Sequence, residues 1–291
     1  MQTPAAWRNH ITLLILMSIA MPLAFNTWSA LLNNFAVEQA AFTGVEIGIL
    51  QSLREVPGFL SFTVIFVLLV LKEQTFAVFS LALLGLGVAL TGFFPSEYGL
   101  YFTTVLMSIG FHYFEAIKQS LSLQWLTKEE APQVLGRLIA VGSITSLVIY
   151  GVLWVLLEVF DVSFMWNFAL AGGLCCLLAI FMWLNFPHFP SKTAQHKTLI
   201  LRRRYWLYYL LTFLSGARRQ IFVGSKASSA MLTGSPLVNW ATSAGSIFTS
   251  TTNSLVLGEI SSKSSPERTT APRVLKFRNL ITPSTGATTS V

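Results

Sequence analysis

The chain has 291 residues, of which 53% are apolar, 13% aromatic and only 11% charged. Soluble domains carry about 25% charged residues, and this chain has too few to cover a water-facing surface. With a mean hydropathy of +0.63, the composition excludes a disordered chain, a collagen and a disulfide-stapled secreted domain. It leaves an all-α fold, a polytopic transmembrane helical bundle.

A membrane helix needs about 20 mostly apolar residues. Six such runs occur, at 11–32, 43–71, 75–94, 98–126, 134–157 and 163–186, and a seventh starts near Trp206. The breaks between them are polar or turn-forming: Asn33-Asn34, Lys72-Glu73-Gln74, Pro95-Ser96-Glu97, Lys128-Glu129-Glu130, Asp161, and Pro187 onward. The first run lacks a small-residue cleavage site after a short apolar core, so it reads as a retained span. The chain divides into a six-span bundle over 1–186, a basic loop over 187–205, a partial seventh span over 206–223 and a Ser/Thr-rich tail over 224–291.

Basic residues sort by side. Arg8, Lys72, Lys128, Arg137, Lys192, Lys197, Arg202, Arg203 and Arg204 fall on one side under strict alternation, and the loops near 33–42, 95–97 and 158–162 hold none. By the positive-inside rule the N-terminus and the 187–205 loop are cytoplasmic. The net charge of +7 is therefore a topology signal and predicts no nucleic-acid partner; the predicted partners are the lipid bilayer and a small solute.

Span two carries Gln51, Arg54 and Glu55, which share one helix face with Gly58. Arg54 and Glu55 are adjacent and do not face each other squarely, so each is expected to seek a partner on another helix. Pro57 and Gly58 predict a kink there. Span four carries His112, Glu115 and Gln119 in one polar stripe, with Lys118 placed to pair along the helix with Glu115. In the seventh run, Arg218 and Arg219 lie about 18 Å deep at ~1.5 Å per residue, near the middle of a ~30 Å hydrocarbon core.

Ionisable groups at that depth are expensive, and two readings stay open. They are buried ion pairs that lock the bundle, or a central aqueous site for solute and a coupling proton. The carboxylate and imidazole of Glu115 and His112 suit a proton relay, whereas Lys118 and Arg137 lie closer to the cytoplasmic end, within snorkelling reach. Gly142 with Ser146 on span five, and Gly85, Gly87 and Gly92 on span three, read as close-packing or sliding surfaces. Asn26 in span one is a weaker cavity candidate.

The vicinal Cys175 and Cys176 read as small packing residues, because neighbouring cysteines do not make an ordinary structural bridge. No phosphate loop, GxSxG elbow, HExxH or dinucleotide fingerprint occurs. The expectation is a non-enzyme with no catalytic residues, no cofactor and no metal.

The composition changes after Val223. Of 38 aromatic residues only Trp240, Phe248 and Phe277 follow it, and the last 68 residues hold 14 Ser and 11 Thr. This tail reads as disorder or poorly formed structure. It is either a genuine tail or a product of another reading frame, and its start in mid-span favours the second.

The segments ILQSLREVPGFLSF, FHYFEAIKQSLSLQWL and LSGARRQIF resemble a prokaryotic branch of the major facilitator superfamily. The resemblance covers roughly residues 8–223, the N-terminal six-helix half plus the start of helix seven. It implies a secondary transporter, a permease of the inner membrane, that moves a small solute by alternating access between two six-helix halves. It also implies that helices one, four and seven line the cavity. The superfamily's Gly-x-x-x-Asp-Arg-x-Gly-Arg-Arg/Lys loop signature is missing, since the loop after span two is only Lys72-Glu73-Gln74. The glycine motif of drug antiporters on span five is also absent. The rival expectations are a non-transporting six-span scaffold or subunit, with dimerisation as one form, and a membrane-embedded lipid enzyme, which lacks a recognisable nucleophile.

Overall fold

The computed structural model describes residues 7–190 together with 206, 207, 210 and 211. All six predicted spans are helical. α1 covers His10–Ala40, α2 Gly44–Phe59, α3 Val64–Val67, α4 Glu73–Thr91, α5 Glu97–Trp125, α6 Ala131–Glu158 and α7 Phe164–Asn185. A 3₁₀ segment, Leu60–Thr63, joins α2 to α3, so these pieces together form span two. The predicted basic loop beyond Pro190, most of the partial seventh span and the tail 224–291 lie outside the described residues.

Local chemistry sets the helix ends. The Asn9 side chain caps α1 by accepting from the Thr12 amide at 2.8 Å. Thr43 and Glu46 form a capping box at the start of α2. Ser96 caps α5 through the Gly99 amide. The predicted break at Asn33-Asn34 does not occur: α1 continues to Ala40. Phe35 and Ala36 beyond it are buried, and Phe35 packs edge-on to Phe164 and Phe168 of α7. Polar residues past the apolar core leave helical hydrogen bonding intact, and the tertiary contact carries the helix onward.

Cross-helix contacts fix the directions. Trp7 stacks on Phe181 and meets Phe186, while Phe35 meets Phe168, so α1 and α7 are antiparallel. Phe25 meets Phe111 and His10 meets Trp125, so α1 and α5 are antiparallel. Ser108 bonds to Arg54 and His112 sits on Gly58, so α2 and α5 run the same way. This is strict up-down alternation, and it places Arg8, Lys72 and Lys128 at one end of the bundle, as the charge pattern predicts.

The centre of the packing is α4, held between α5 and α7 by glycine. A Cβ on Gly172 would overlap the Ala89 amide nitrogen and the Gly85 carbonyl oxygen. A Cβ on Gly110 would overlap the Leu84 amide nitrogen, and one on Gly87 would lie 2.7 Å from the Met107 Cα. Backbone therefore meets backbone on two sides of α4, the close approach that small residues allow in membranes. The Cys175 and Cys176 thiols, both free, add donors to the Leu81 and Ala82 carbonyls at 3.6 and 3.4 Å. The predicted packing role holds. An interlocked seam on both sides of one helix opposes the predicted sliding.

The outer surface is apolar. Phe66, Leu147, Leu177 and Leu184 are all more than 60% exposed, while Ser18, Thr103, Thr104 and Ser108 are buried. This arrangement suits a lipid solvent and not water. By length and composition α1, α4, α6 and α7 can each cross a membrane; α2 and α5 carry the ionisable clusters instead. The chain is an integral membrane protein.

Candidate functional site

The polar clusters of spans two and four meet along the α2–α5 contact. The Ser108 hydroxyl of α5 donates to the Arg54 carbonyl of α2. One turn on, the His112 ring lies against Gly58. A Cβ there would stand 2.7 Å from His112 Cε1 and 2.9 Å from Nε2. Regular α-helix ends at Phe59, immediately beyond this contact, and the predicted Pro57-Gly58 kink is a full break into 3₁₀ geometry. Thr63 in the 3₁₀ segment donates to the Leu60 carbonyl at 2.8 Å, which leaves Tyr113 as donor in its 2.7 Å bond to Thr63. Hydroxyl side chains thus re-satisfy a broken helix in the bundle.

Arg54 and Glu55 do not find separate partners. Arg54 Nη2 and Nε both donate to Glu55 Oε1, at 2.8 and 3.0 Å, with side chains 14% and 32% exposed. The long, many-torsioned arginine reaches round to its neighbour. In surroundings where a lone charge is costly, the nearest counter-charge wins. The pair is neutral as a unit. Gln51, one turn earlier, keeps a buried Oε1 with no hydrogen-bond partner among the described residues.

On α5, Glu115 lies three residues after His112. Its Oε1 is buried and also lacks a hydrogen-bond partner among the described residues. The expected Glu115–Lys118 pair is not made. Lys118 Nζ instead lies over the Phe114 ring, 5.9 Å from its centroid, a cation–π contact. Gln119 is exposed, and Ser122 turns its hydroxyl back to the Lys118 carbonyl at 2.8 Å. Arg218 and Arg219 lie outside the described residues.

Helix one contributes on both sides. Phe25 stacks on Phe111 with centroids 4.1 Å apart, next to the His112 ring. Asn26 donates to Ser146 of α6 at 2.7 Å, and Ser146 donates to the Gly142 carbonyl at 2.8 Å. Asn26 is thus tied between helices. Ser146→Ala is expected to cost more than Asn26→Leu, because it leaves a buried amide unpaired, at about 1–3 kcal/mol. Asn26→Leu leaves Ser146 its carbonyl bond and costs about 0.6 kcal/mol, an average membrane hydrogen bond. Unfolding of the purified bundle in mixed micelles measures both, and the reverse order refutes this pairing.

Four participants carry no sequence signal of their role. Ser108 and Tyr113 sit on α5 beside the charged candidates, but hydroxyls in apolar runs reveal neither depth nor partner. Glu73 and Gln74 read only as a break between spans. Glu73 accepts from Gln124 at the end of α5, and Gln74, 8% exposed, bonds to the chain after α7.

No family model matches the chain, and no curated protein matches it. Solved structures do. The chain is similar to the POT family transporter PepTSo with a TM-score of 0.53 and 14% identity, over 90% of this chain and 56% of that one. It is similar to the nucleoside transporter NupG with a TM-score of 0.56 and 18% identity, over 88% of this chain and 68% of that one. The chain thus spans 56% of the first of these transporters and 68% of the second. At such identities the likeness establishes the fold: an all-helical membrane bundle of the kind found in these transporters.

Proposed function

We propose that this chain is the N-terminal six-helix half, with the start of helix seven, of a secondary transporter of the major facilitator superfamily, in a prokaryotic inner membrane with its N-terminus cytoplasmic. It moves a small solute by alternating access. Glu115, His112 and Glu55 handle the coupling proton, and Gln51, Lys118 and Gln119 border the same pathway. Arg218 and Arg219 supply countercharge from helix seven, while Arg54 is already neutralised by Glu55. The domain division at 186, 205 and 223 is part of this proposal.

The observation that carries the reading is Glu115 Oε1, a buried carboxylate oxygen in mid-span with no hydrogen-bond partner among the described residues. An ionisable side chain there is costly unless it serves a pathway. It stands one turn from His112, and His112 abuts the break in span two. One of the two solved transporters is a nucleoside transporter by its name, so nucleosides are the first probes.

The composition break at Val223 makes the gene the first thing to read. Another frame is expected to continue for ~170 residues with about five apolar runs. In the chain so extended, Glu115→Gln and His112→Ala are expected to lower proton-driven uptake of the active probe about a hundredfold, with insertion intact. Uptake unchanged by either substitution assigns both residues to structure.

A further inference from the structure

α7 ends at Asn185, and Phe-Pro-His-Phe-Pro follows. Pro187 and Pro190 bar helix and favour extended backbone; Phe186 is already extended. This segment does not run out into solvent. Phe186 is 6% exposed and meets Trp7 edge-on at 5.5 Å. Phe189 meets Trp125 of α5 at 5.6 Å and His10 of α1 at 6.1 Å, both edge-on. Between these rings, Gln74 of α4 grips the backbone twice. Its Nε2 donates to the Pro187 carbonyl at 2.9 Å, and its Oε1 accepts from the Phe189 amide at 3.0 Å. One side-chain amide thus plays the part of a neighbouring strand. The Thr75 hydroxyl lies 3.5 Å from His188 Nε2.

We propose that Phe186–Pro190 is a latch and Gln74 its hook. Engaged, the latch holds the root of the basic loop against α1, α4 and α5, so that the loop departs from Pro190 and not from the end of α7. Released, it frees that root without unpacking the helices. Two features argue for release as a separate event. The hook is a single neutral amide, and Pro187, His188 and Pro190 are exposed. The helices beneath are held elsewhere, by the glycine seam on α4. The device ties the chain just before the basic segment to the end of the bundle. It does not depend on the chain's being a transporter.

The test is limited trypsin digestion of the full chain in nanodiscs. Cleavage after Lys192 requires Phe189 and Pro190 to leave the bundle and enter the protease. Cleavage within Arg202–Arg204, about ten residues further along the chain, serves as the internal reference. Gln74→Ala is expected to raise the Lys192 rate, relative to that reference, about tenfold, because proteolysis follows the open population. The bundle's melting midpoint is expected to stay within about 2 °C of the parent, as for local opening. Gln74→Glu, which can accept from Phe189 but cannot donate to Pro187, falls between. Phe189→Ala, which removes the ring seat and keeps Gln74, also accelerates the cut. An unchanged Lys192 ratio in both Gln74→Ala and Phe189→Ala overturns the latch. A faster cut that comes only with a lowered melting midpoint also overturns it, since the segment is then part of the bundle's packing. Neither readout involves uptake, so loss of the transport reading leaves this result standing.

Discussion

Gly172→Leu is expected to abolish the folded bundle, while Gly173→Leu, one residue away, is expected to do almost nothing. At Gly172 a Cβ meets the Ala89 amide nitrogen and the Gly85 carbonyl oxygen of α4; at Gly173 no atom of the described residues lies within 4 Å of one. Overpacking a core costs about 1–3 kcal/mol when side chains can give way. Here the obstacle is backbone, so α4 and α7 must separate. Their separation also pulls Gly85 away from Cys176 and Gly92 away from Met165. A cost above about 3 kcal/mol is expected at Gly172, against about 0.5 kcal/mol or less at the outward neighbour. The monodisperse fraction after detergent extraction and the melting midpoint read the difference. Gly110→Leu on the α5 side, against the Leu84 amide nitrogen and the Ser80 carbonyl, should behave like Gly172→Leu. Equal behaviour of Gly172 and Gly173 would falsify the close crossing.

That contrast shows what the sequence holds and what it does not. Apolar run length marks all six helical segments, because a bilayer demands long apolar runs, and the side-sorting of Arg8, Lys72 and Lys128 marks their up-down alternation. Glycine content marks span three as a packing helix. It does not say that Gly110 and Gly172, on other helices, supply half of each crossing, since periodicity gives a face and not a depth. The site divides in the same way. Intramembrane charge picks out Arg54, Glu55, His112 and Glu115 one helix at a time. The joining of spans two and four depends on Ser108 reaching the Arg54 carbonyl and on His112 covering Gly58. Neither contact has a sequence signature, because a serine or a glycine in an apolar run is ordinary. The expectation that adjacent Arg54 and Glu55 look elsewhere fails for a related reason. Helix-surface spacing rules describe exposed pairs, and an arginine in apolar surroundings takes the nearest carboxylate.

Gly58→Ala is expected to damage the site through His112. In an ordinary helix the change stabilises by about 1 kcal/mol. Here the new methyl stands 2.7 Å from the imidazole, and either the ring or α2 must move, at about 1–3 kcal/mol. The break at Leu60–Thr63 follows directly, and its hydroxyl bond to Tyr113 lies on the residue after His112. Displacing the ring therefore disturbs two of the ties of span two to α5 together, the ring contact and the hydroxyl bond. The double variant Gly58→Ala, His112→Ala removes the obstacle and is expected to regain most of the lost melting midpoint. It is not expected to regain uptake, because by the proposed function the imidazole is itself needed. Recovery of stability without recovery of transport separates the two roles of His112, as a body packed on the helix break and as a proton-bearing group. Recovery of both assigns His112 to packing alone and leaves Glu115 as the proton-bearing group of span four. Recovery of neither means that the methyl acts on α2 itself, and that the break in span two is fixed by Pro57 and the Thr63–Tyr113 bond with no help from the ring.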